Sequence, residues 1–142
     1  MTIIAWDGKT LAADKRADVG GTALTTTKIR RLESGEIVAF TGNASTGRIL
    51  LDWYANGAEA EEWPESQRSD DWARLIVASK DGICFYESYP VAVHCQDKFT
   101  AFGSGRDVAL GALAMGADAI KAVEIASLYQ SDCGNGCDYY EV

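Results

Sequence analysis

The sequence predicts an α+β fold in which β-sheets pack on each other and helices cover their outer faces. Two apolar runs flank Asp7-Gly8, and two more flank Asp81-Gly82. This dipeptide between apolar runs is a strong hairpin signal. Helical patterns occupy separate stretches, at residues 44–56, 105–115 and 118–128. Strands and helices in separate runs are typical of layered α+β domains, so we expect one domain spanning residues 1–142.

Local signals set the boundaries of each element. Asn43 can cap the first helix and Gly57 can end it, while Asp118 can cap the last helix. A proline at position 64 prevents one long helix in the acidic stretch 59–71, where we expect a surface connection with one helical turn. The predicted order is a hairpin (2–6, 10–13), a polar turn (15–21), strands (22–32, 37–41), a helix (44–56), the connection (59–71), a hairpin (73–79, 83–86), strands (91–95, 99–102), two helices (105–115, 118–128) and a strand (137–142).

Composition excludes several functions. The net charge is −8, and no basic cluster is larger than residues 28–31, which argues against nucleic-acid binding. No apolar run approaches 18 residues and no export signal is evident, so we expect a cytoplasmic protein that does not bind membranes. The four cysteines are then not expected to form disulfides, and their spacing does not favour a metal site. We expect no cofactor, and we expect His94 to be a strand residue.

Thr2 opens the first predicted strand, directly after Met1. Removal of Met1 would place a free α-amine beside the threonine hydroxyl. Such an amine has an ordinary pKa of about 7.7–8 and can act as a general base toward its own hydroxyl. The simpler interpretation is that threonine is a common second residue.

Five motifs occur in a fixed order: Thr2 at a strand start, Ala13-Asp14, the basic run 28–32, Ala-Phe-Thr-Gly-Asn-Ala at 39–44, and Gly-Ser-Gly at 103–105. Together they resemble the proteasome β-subunit family, in particular its bacterial proteasome-like peptidases. The resemblance covers nearly the whole chain and is weakest at residues 57–71. It implies the αββα four-layer sandwich of the N-terminal-nucleophile hydrolases, in a minimal version.

The resemblance also implies peptide-bond hydrolysis and a role for each site residue. Thr2 would be the nucleophile, Lys28 the cation beside its amine, and Asp14 the partner of Lys28. Ser104 would lie near the threonine amine, and the backbone N–H of Ala39 would hold the oxyanion.

Two of these roles have a structural alternative. Asp14 and Lys28 could form a plain ion pair across neighbouring strands, which contributes little by itself. Ser104-x-x-Asp107 is also a capping-box pattern at a helix start. Near the C-terminus, Gln130 and Cys133 stand where many family members have an aspartate and a serine, with Asp132 close by.

The favoured function is a threonine-type endopeptidase in a ring-forming homo-oligomer, with two stacked rings enclosing the site. Its substrate would be a peptide or unfolded protein, delivered by a separate ATP-dependent unfoldase, since the chain has no phosphate-binding loop. Two alternatives remain open: an inactive ring-forming homologue, and an amidase of the same nucleophile class that acts on a non-peptide amide.

Overall fold

The computed structural model describes residues 2–142, so the expected removal of Met1 concerns a residue outside this range. Eleven strands and three α-helices lie within the described residues. The strands are β1 (Ile4–Trp6), β2 (Thr10–Asp14), β3 (Arg16–Val19), β4 (Thr22–Thr25), β5 (Ile29–Arg31), β6 (Ile37–Thr41), β7 (Arg74–Ser79), β8 (Gly82–Tyr86), β9 (Val93–Cys95), β10 (Thr100–Phe102) and β11 (Cys137–Glu141). The helices are α1 (Ala44–Ala55), α2 (Arg106–Ala114) and α3 (Ala119–Tyr129).

Two antiparallel sheets form the centre of the molecule. The first sheet has the strand order β10-β1-β2-β11, and the second has the order β5-β6-β7-β8-β9. Both Asp-Gly hairpins are confirmed, since β1 pairs with β2 and β7 pairs with β8. A separate two-stranded hairpin, β3–β4, leaves the first sheet directly after β2.

The core follows the two-residue alternation of the strands. In β1, Ala5 faces α2 and α3, whereas Ile4 faces the second sheet. In β6, Ala39 faces the first sheet, whereas Val38 and Phe40 face α1. Three apolar clusters therefore separate four layers, in the order α2 and α3, first sheet, second sheet, α1. The predicted αββα sandwich is confirmed.

Residues 15–32 differ from the sequence prediction. The expected polar turn contains β3, and the expected strand 22–32 is divided into β4 and β5. Gly20 and Gly21 both have positive φ, at +56° and +85°, which is the backbone that a tight hairpin turn requires. The Gly-Gly pair is therefore the turn of the β3–β4 hairpin rather than the end of a polar turn.

The face of α1 also differs in part. Asn43 caps the helix as predicted, accepting hydrogen bonds from the amides of Ser45 and Thr46. The helical pattern places Ile49, Leu50, Trp53 and Tyr54 on one side of the helix. Leu50 and Trp53 are buried, but Ile49 is exposed and Leu51 is buried instead.

The connection 59–71 carries two short 3-10 helices, Ala60–Glu62 and Glu65–Arg68, and the second is the helical turn expected after Pro64. Trp63 and Gln67 of this connection are buried rather than on the surface. Among the described residues, no helix is both long enough and apolar enough to cross a membrane.

Candidate active site

Asp14 ends β2 and is completely buried, with 0% of its surface exposed. Its Oδ1 accepts hydrogen bonds from Lys28 Nζ at 2.8 Å and from the amide of Ile3 at 3.0 Å. Its Oδ2 accepts from the amides of Gly134 at 3.0 Å and Arg16 at 3.4 Å. A buried carboxylate is costly unless such partners replace its hydration, and here four donors do so.

Lys28 immediately precedes β5 and is also buried, with 3% of its surface exposed. Its Nζ lies 2.8 Å from Asp14 Oδ1 and 3.4 Å from Thr2 Oγ1. The ammonium group therefore joins the carboxylate to the threonine hydroxyl. An ion pair that served only to link neighbouring strands would not need to be buried against a third residue.

Thr2 precedes β1 and has 3% of its surface exposed. Its main-chain nitrogen donates to Ser104 Oγ at 3.2 Å, and its carbonyl oxygen accepts from the amide of Gly105 at 3.2 Å. Gly103 has φ +97°, and a Cβ atom at that position would lie 2.2 Å from the Thr2 carbonyl oxygen. The Gly-Ser-Gly motif therefore brings the chain against both polar main-chain groups of Thr2.

Ser104 does not cap the helix that follows it. The N-cap residue of α2 is Gly105, and no side chain caps that helix end. The Ser104 hydroxyl instead contacts Thr2 N, Asp132 Oδ1 at 3.1 Å and Cys133 Sγ at 3.7 Å. The capping interpretation of this motif is wrong, and the serine lies beside the threonine nitrogen.

Asp132 is the site residue whose contacts the sequence did not indicate. Burial acts to raise its pKa, but charge and hydrogen bonds, among them those from Gln130 and Ser104, outweigh this and lower the pKa to about 2. The side chain is therefore an ionised carboxylate at neutral pH, linked to the threonine nitrogen through Ser104. Burial raises the pKa of the neighbouring Cys133 thiol to about 11, so this sulfur remains protonated and is a poor nucleophile.

The chain is similar to known proteins in its fold. Neither a family model nor a curated protein matches the sequence. Solved structures do match: BPH of Thiobacillus denitrificans in complex with epoxomicin has a TM-score of 0.77 at 21% identity, over 100% of this chain and 98% of that chain. Eukaryotic HslV from Trypanosoma brucei has a TM-score of 0.73 at 20% identity, over 99% and 98% of the two chains. The chain has the HslV fold. A second structure of the Thiobacillus BPH matches at a TM-score of 0.76 and 23% identity, over 100% of this chain and 97% of that one.

Within this HslV fold, a cavity of about 270 Å³ opens beside Thr2 and Lys28. Phe40, Gly42 and Asn43 contribute to it from the end of β6 and the turn into α1. The β3 strand contributes from the opposite side, with the Arg16–Asp18 ion pair. The cavity is large enough for one side chain of a peptide, next to the threonine hydroxyl.

Ala39 is the expected site residue that the structure does not bring to this cavity. It lies inside β6, completely buried, with its side chain in the core between the sheets. The amide of Phe40 donates to the carbonyl oxygen of Lys28, on the β5 side. Because successive amides alternate along a strand, the Ala39 amide faces β7, and the next amide on the Lys28 side belongs to Gly42. Ala39 therefore lies away from the cavity, whereas Gly42 lines it together with Thr2 and Lys28.

Proposed function

We propose that this protein is a threonine-type endopeptidase that hydrolyses peptide bonds with Thr2 after removal of Met1. The observation that carries the proposal is the buried chain of contacts from Asp14 through Lys28 to the Thr2 hydroxyl. Ser104 and Asp132 extend it on the main-chain nitrogen side of the same residue. The similar BPH structure, which is a complex with epoxomicin, also supports the proposal.

The α-amine of processed Thr2 would act as the general base. It takes the proton of the threonine hydroxyl as Oγ1 attacks the carbonyl carbon of the substrate. The positive charge of Lys28 favours the unprotonated amine and the developing alkoxide, because a like charge disfavours a second cation and an opposite charge stabilises an anion. Ser104 and Asp132 hold the amine in place.

The tetrahedral intermediate places negative charge on the former carbonyl oxygen. We propose the N–H of Gly42 as the donor to this oxygen, because it follows Phe40 on the Lys28 side of β6 and lines the cavity with Thr2. Collapse of the intermediate breaks the C–N bond, and the leaving amine receives the proton held by the α-amine. A water molecule then attacks the resulting ester, regenerating Thr2 and releasing the second product.

We further propose that copies of this chain form stacked rings with their threonines facing an enclosed chamber. Unfolded protein or peptide is the proposed substrate, and a separate ATP-dependent unfoldase would deliver the folded proteins. The exposed apolar side chains at the ends of α2 and α3 support a subunit interface there.

The decisive test is Thr2→Ala, compared with wild type on a fluorogenic peptide. Loss of the hydroxyl should abolish hydrolysis and covalent labelling by a peptide boronate or epoxyketone, while the protein remains folded. Thr10→Ala is a matched control, since Thr10 is another buried threonine on the same hairpin, and it should keep its activity.

Mass spectrometry of the same samples separates the alternatives. A wild-type protein that has lost one methionine, hydrolyses peptide and carries the inhibitor on Thr2 supports the proposal. Hydrolysis that is unchanged in Thr2→Ala would contradict the mechanism. A processed protein that neither hydrolyses peptide nor takes the label would instead support the inactive homologue or the non-peptide amidase.

A further inference from the structure

Gln67 is a buried amide in the connection between α1 and β7, with 1% of its surface exposed. Its Nε2 donates to the carbonyl oxygens of Ala73 at 2.6 Å and Glu87 at 2.7 Å, and its Oε1 accepts from the amide of Ala73 at 2.9 Å. Both amide hydrogens and the oxygen therefore bind main chain. The β7–β8 ladder ends at the pair Leu75–Tyr86, and beyond it the Gln67 side chain bridges the two strands.

The residue that Gln67 holds lies opposite Gly42. The β6–β7 pairing ends at Thr41 opposite Arg74, so the next positions along the two strands are Gly42 and Ala73. Gly42 has φ +100°, and a Cβ atom on it would lie 3.2 Å from the Trp72 carbonyl oxygen and 3.3 Å from Ala73 Cα. The main chain of residues 72–73 therefore packs directly against Gly42.

A second side chain ties the same segment to the turn from the helix side. Thr46 Oγ1 lies 2.9 Å from the Asp71 carbonyl oxygen and 3.1 Å from the Asn43 carbonyl oxygen. Residues 71–73 are thus held on one side by Gln67 and on the other by Thr46. They support the turn at residues 42–43, which lines the cavity beside Thr2.

We infer that Gln67 is a positioning residue for the reaction: it fixes Ala73, and through Ala73 it fixes the Gly42 amide that faces the reacting carbonyl oxygen. This inference rests on the proposed function. An oxyanion donor is effective only when it is held where the charge develops, and displacements of about 1 Å in such sites can cost about a hundredfold in rate. Gln67 has no contact with substrate in this scheme and acts only through the backbone.

The test is Gln67→Leu, which keeps much of the volume and removes all three hydrogen bonds. We expect kcat on a fluorogenic peptide to fall by about tenfold to a hundredfold, with KM changed by less than about twofold, since the cavity walls remain. Affinity for a peptide boronate, whose tetrahedral adduct needs the oxyanion donor, should fall in parallel with kcat.

Trp63→Phe provides the matched control. Trp63 lies in the same connection and donates one hydrogen bond, to the Ser88 carbonyl oxygen at 3.1 Å, beside the Glu87 that Gln67 binds. Its loss should lower thermal stability but change kcat by less than about twofold. Wild-type kcat in Gln67→Leu, or an equal fall of kcat in both variants, would overturn the inference.

Two further measurements keep the test decisive. If Gln67→Leu does not fold, Gln67→Met, which keeps the unbranched shape of the side chain and removes the same three hydrogen bonds, takes its place, and an unchanged kcat in that variant would overturn the inference. If wild type neither hydrolyses the peptide nor binds the boronate, the proposed function has failed. Hydrogen exchange over residues 40–46 then decides the inference by itself: it should be faster in Gln67→Leu than in Trp63→Phe, and equal rates would refute the positioning role.

Discussion

The Lys28 ammonium is held between a carboxylate and a hydroxyl, 2.8 Å from Asp14 Oδ1 and 3.4 Å from Thr2 Oγ1. Asp14 keeps three main-chain donors besides Lys28, from Ile3, Arg16 and Gly134. Removal of the lysine therefore leaves the carboxylate hydrogen-bonded, so the fold should survive a substitution that removes the charge beside the threonine.

We predict that Lys28→Ala lowers kcat/KM by about two powers of ten or more, the range for loss of an electrostatic or acid–base group. Lys28→Arg should not restore it, because a planar guanidinium does not reproduce a compact ammonium at this buried position. Steady-state kinetics on the fluorogenic peptide provide the measurement. Lys15→Ala is the control: Lys15 pairs with Asp138 at 3.4 Å near the surface, and its loss should change the rate by less than about twofold. Full activity of Lys28→Arg would mean that Lys28 serves only as a structural charge.

Most residues of the candidate site could be predicted from the sequence, but the oxyanion donor and Asp132 could not. The resemblance assigned Thr2, Asp14, Lys28 and Ser104, and the structure brings these four residues together. The resemblance assigned the oxyanion donor to Ala39 by its position along β6. The neighbouring strand that an amide faces depends on the strand pairing, and this pairing places the Ala39 amide toward β7. Asp132 depends on how the loop after α3 returns to the site, which local patterns do not predict.

At the scale of elements, the sequence was most informative where a turn or helix start strongly favours particular residues. Asp7-Gly8 and Asp81-Gly82 gave the two long hairpins, and Asn43 gave the start of α1. The β3–β4 hairpin was missed because β4 is exposed throughout and β3 is only partly buried. Such strands carry no apolar alternation, which is the main strand signal in a sequence.

The loop between β10 and α2 gives a prediction at this scale. Gly103→Ala should destabilise the protein by roughly 1–3 kcal/mol, because φ +97° disfavours any Cβ and the added atom would meet the Thr2 carbonyl oxygen. Chemical denaturation measures the free energy of unfolding.

Gly111→Ala is the matched control for Gly103→Ala. Gly111 lies on the exposed face of α2 with nothing near its missing Cβ, so alanine should stabilise the helix by roughly 0.5–1 kcal/mol. A Gly103→Ala variant as stable as wild type would mean that the loop does not press against Thr2.

At the scale of the molecule, four layers bury the apolar residues of both sheets and leave other apolar residues outside. Trp53 of α1, for example, is buried against the rings of Trp63 and Tyr86. The exposed apolar residues are spread over the helix ends, the β3–β4 hairpin, the region of β9, and β11. They include Met115, Leu128, Tyr129, Val19 and Leu24. The layering was predictable from alternation within the strands, but these outer faces were not, because they depend on which helix side meets the sheet.

We predict that the chain assembles into a closed homo-oligomer, a double ring of about six or seven subunits per ring. Met115, Leu128 and Tyr129 are each more than three-quarters exposed, and apolar patches of this kind usually mark interfaces. Because the contacts would be led by apolar and aromatic side chains, moderate salt should not dissociate the assembly, whereas Leu128→Asp should. Light scattering coupled to size exclusion measures the mass directly. A monomer at micromolar concentration in wild type would contradict the enclosed chamber, and with it the compartment that would restrict the proposed peptidase to unfolded substrates.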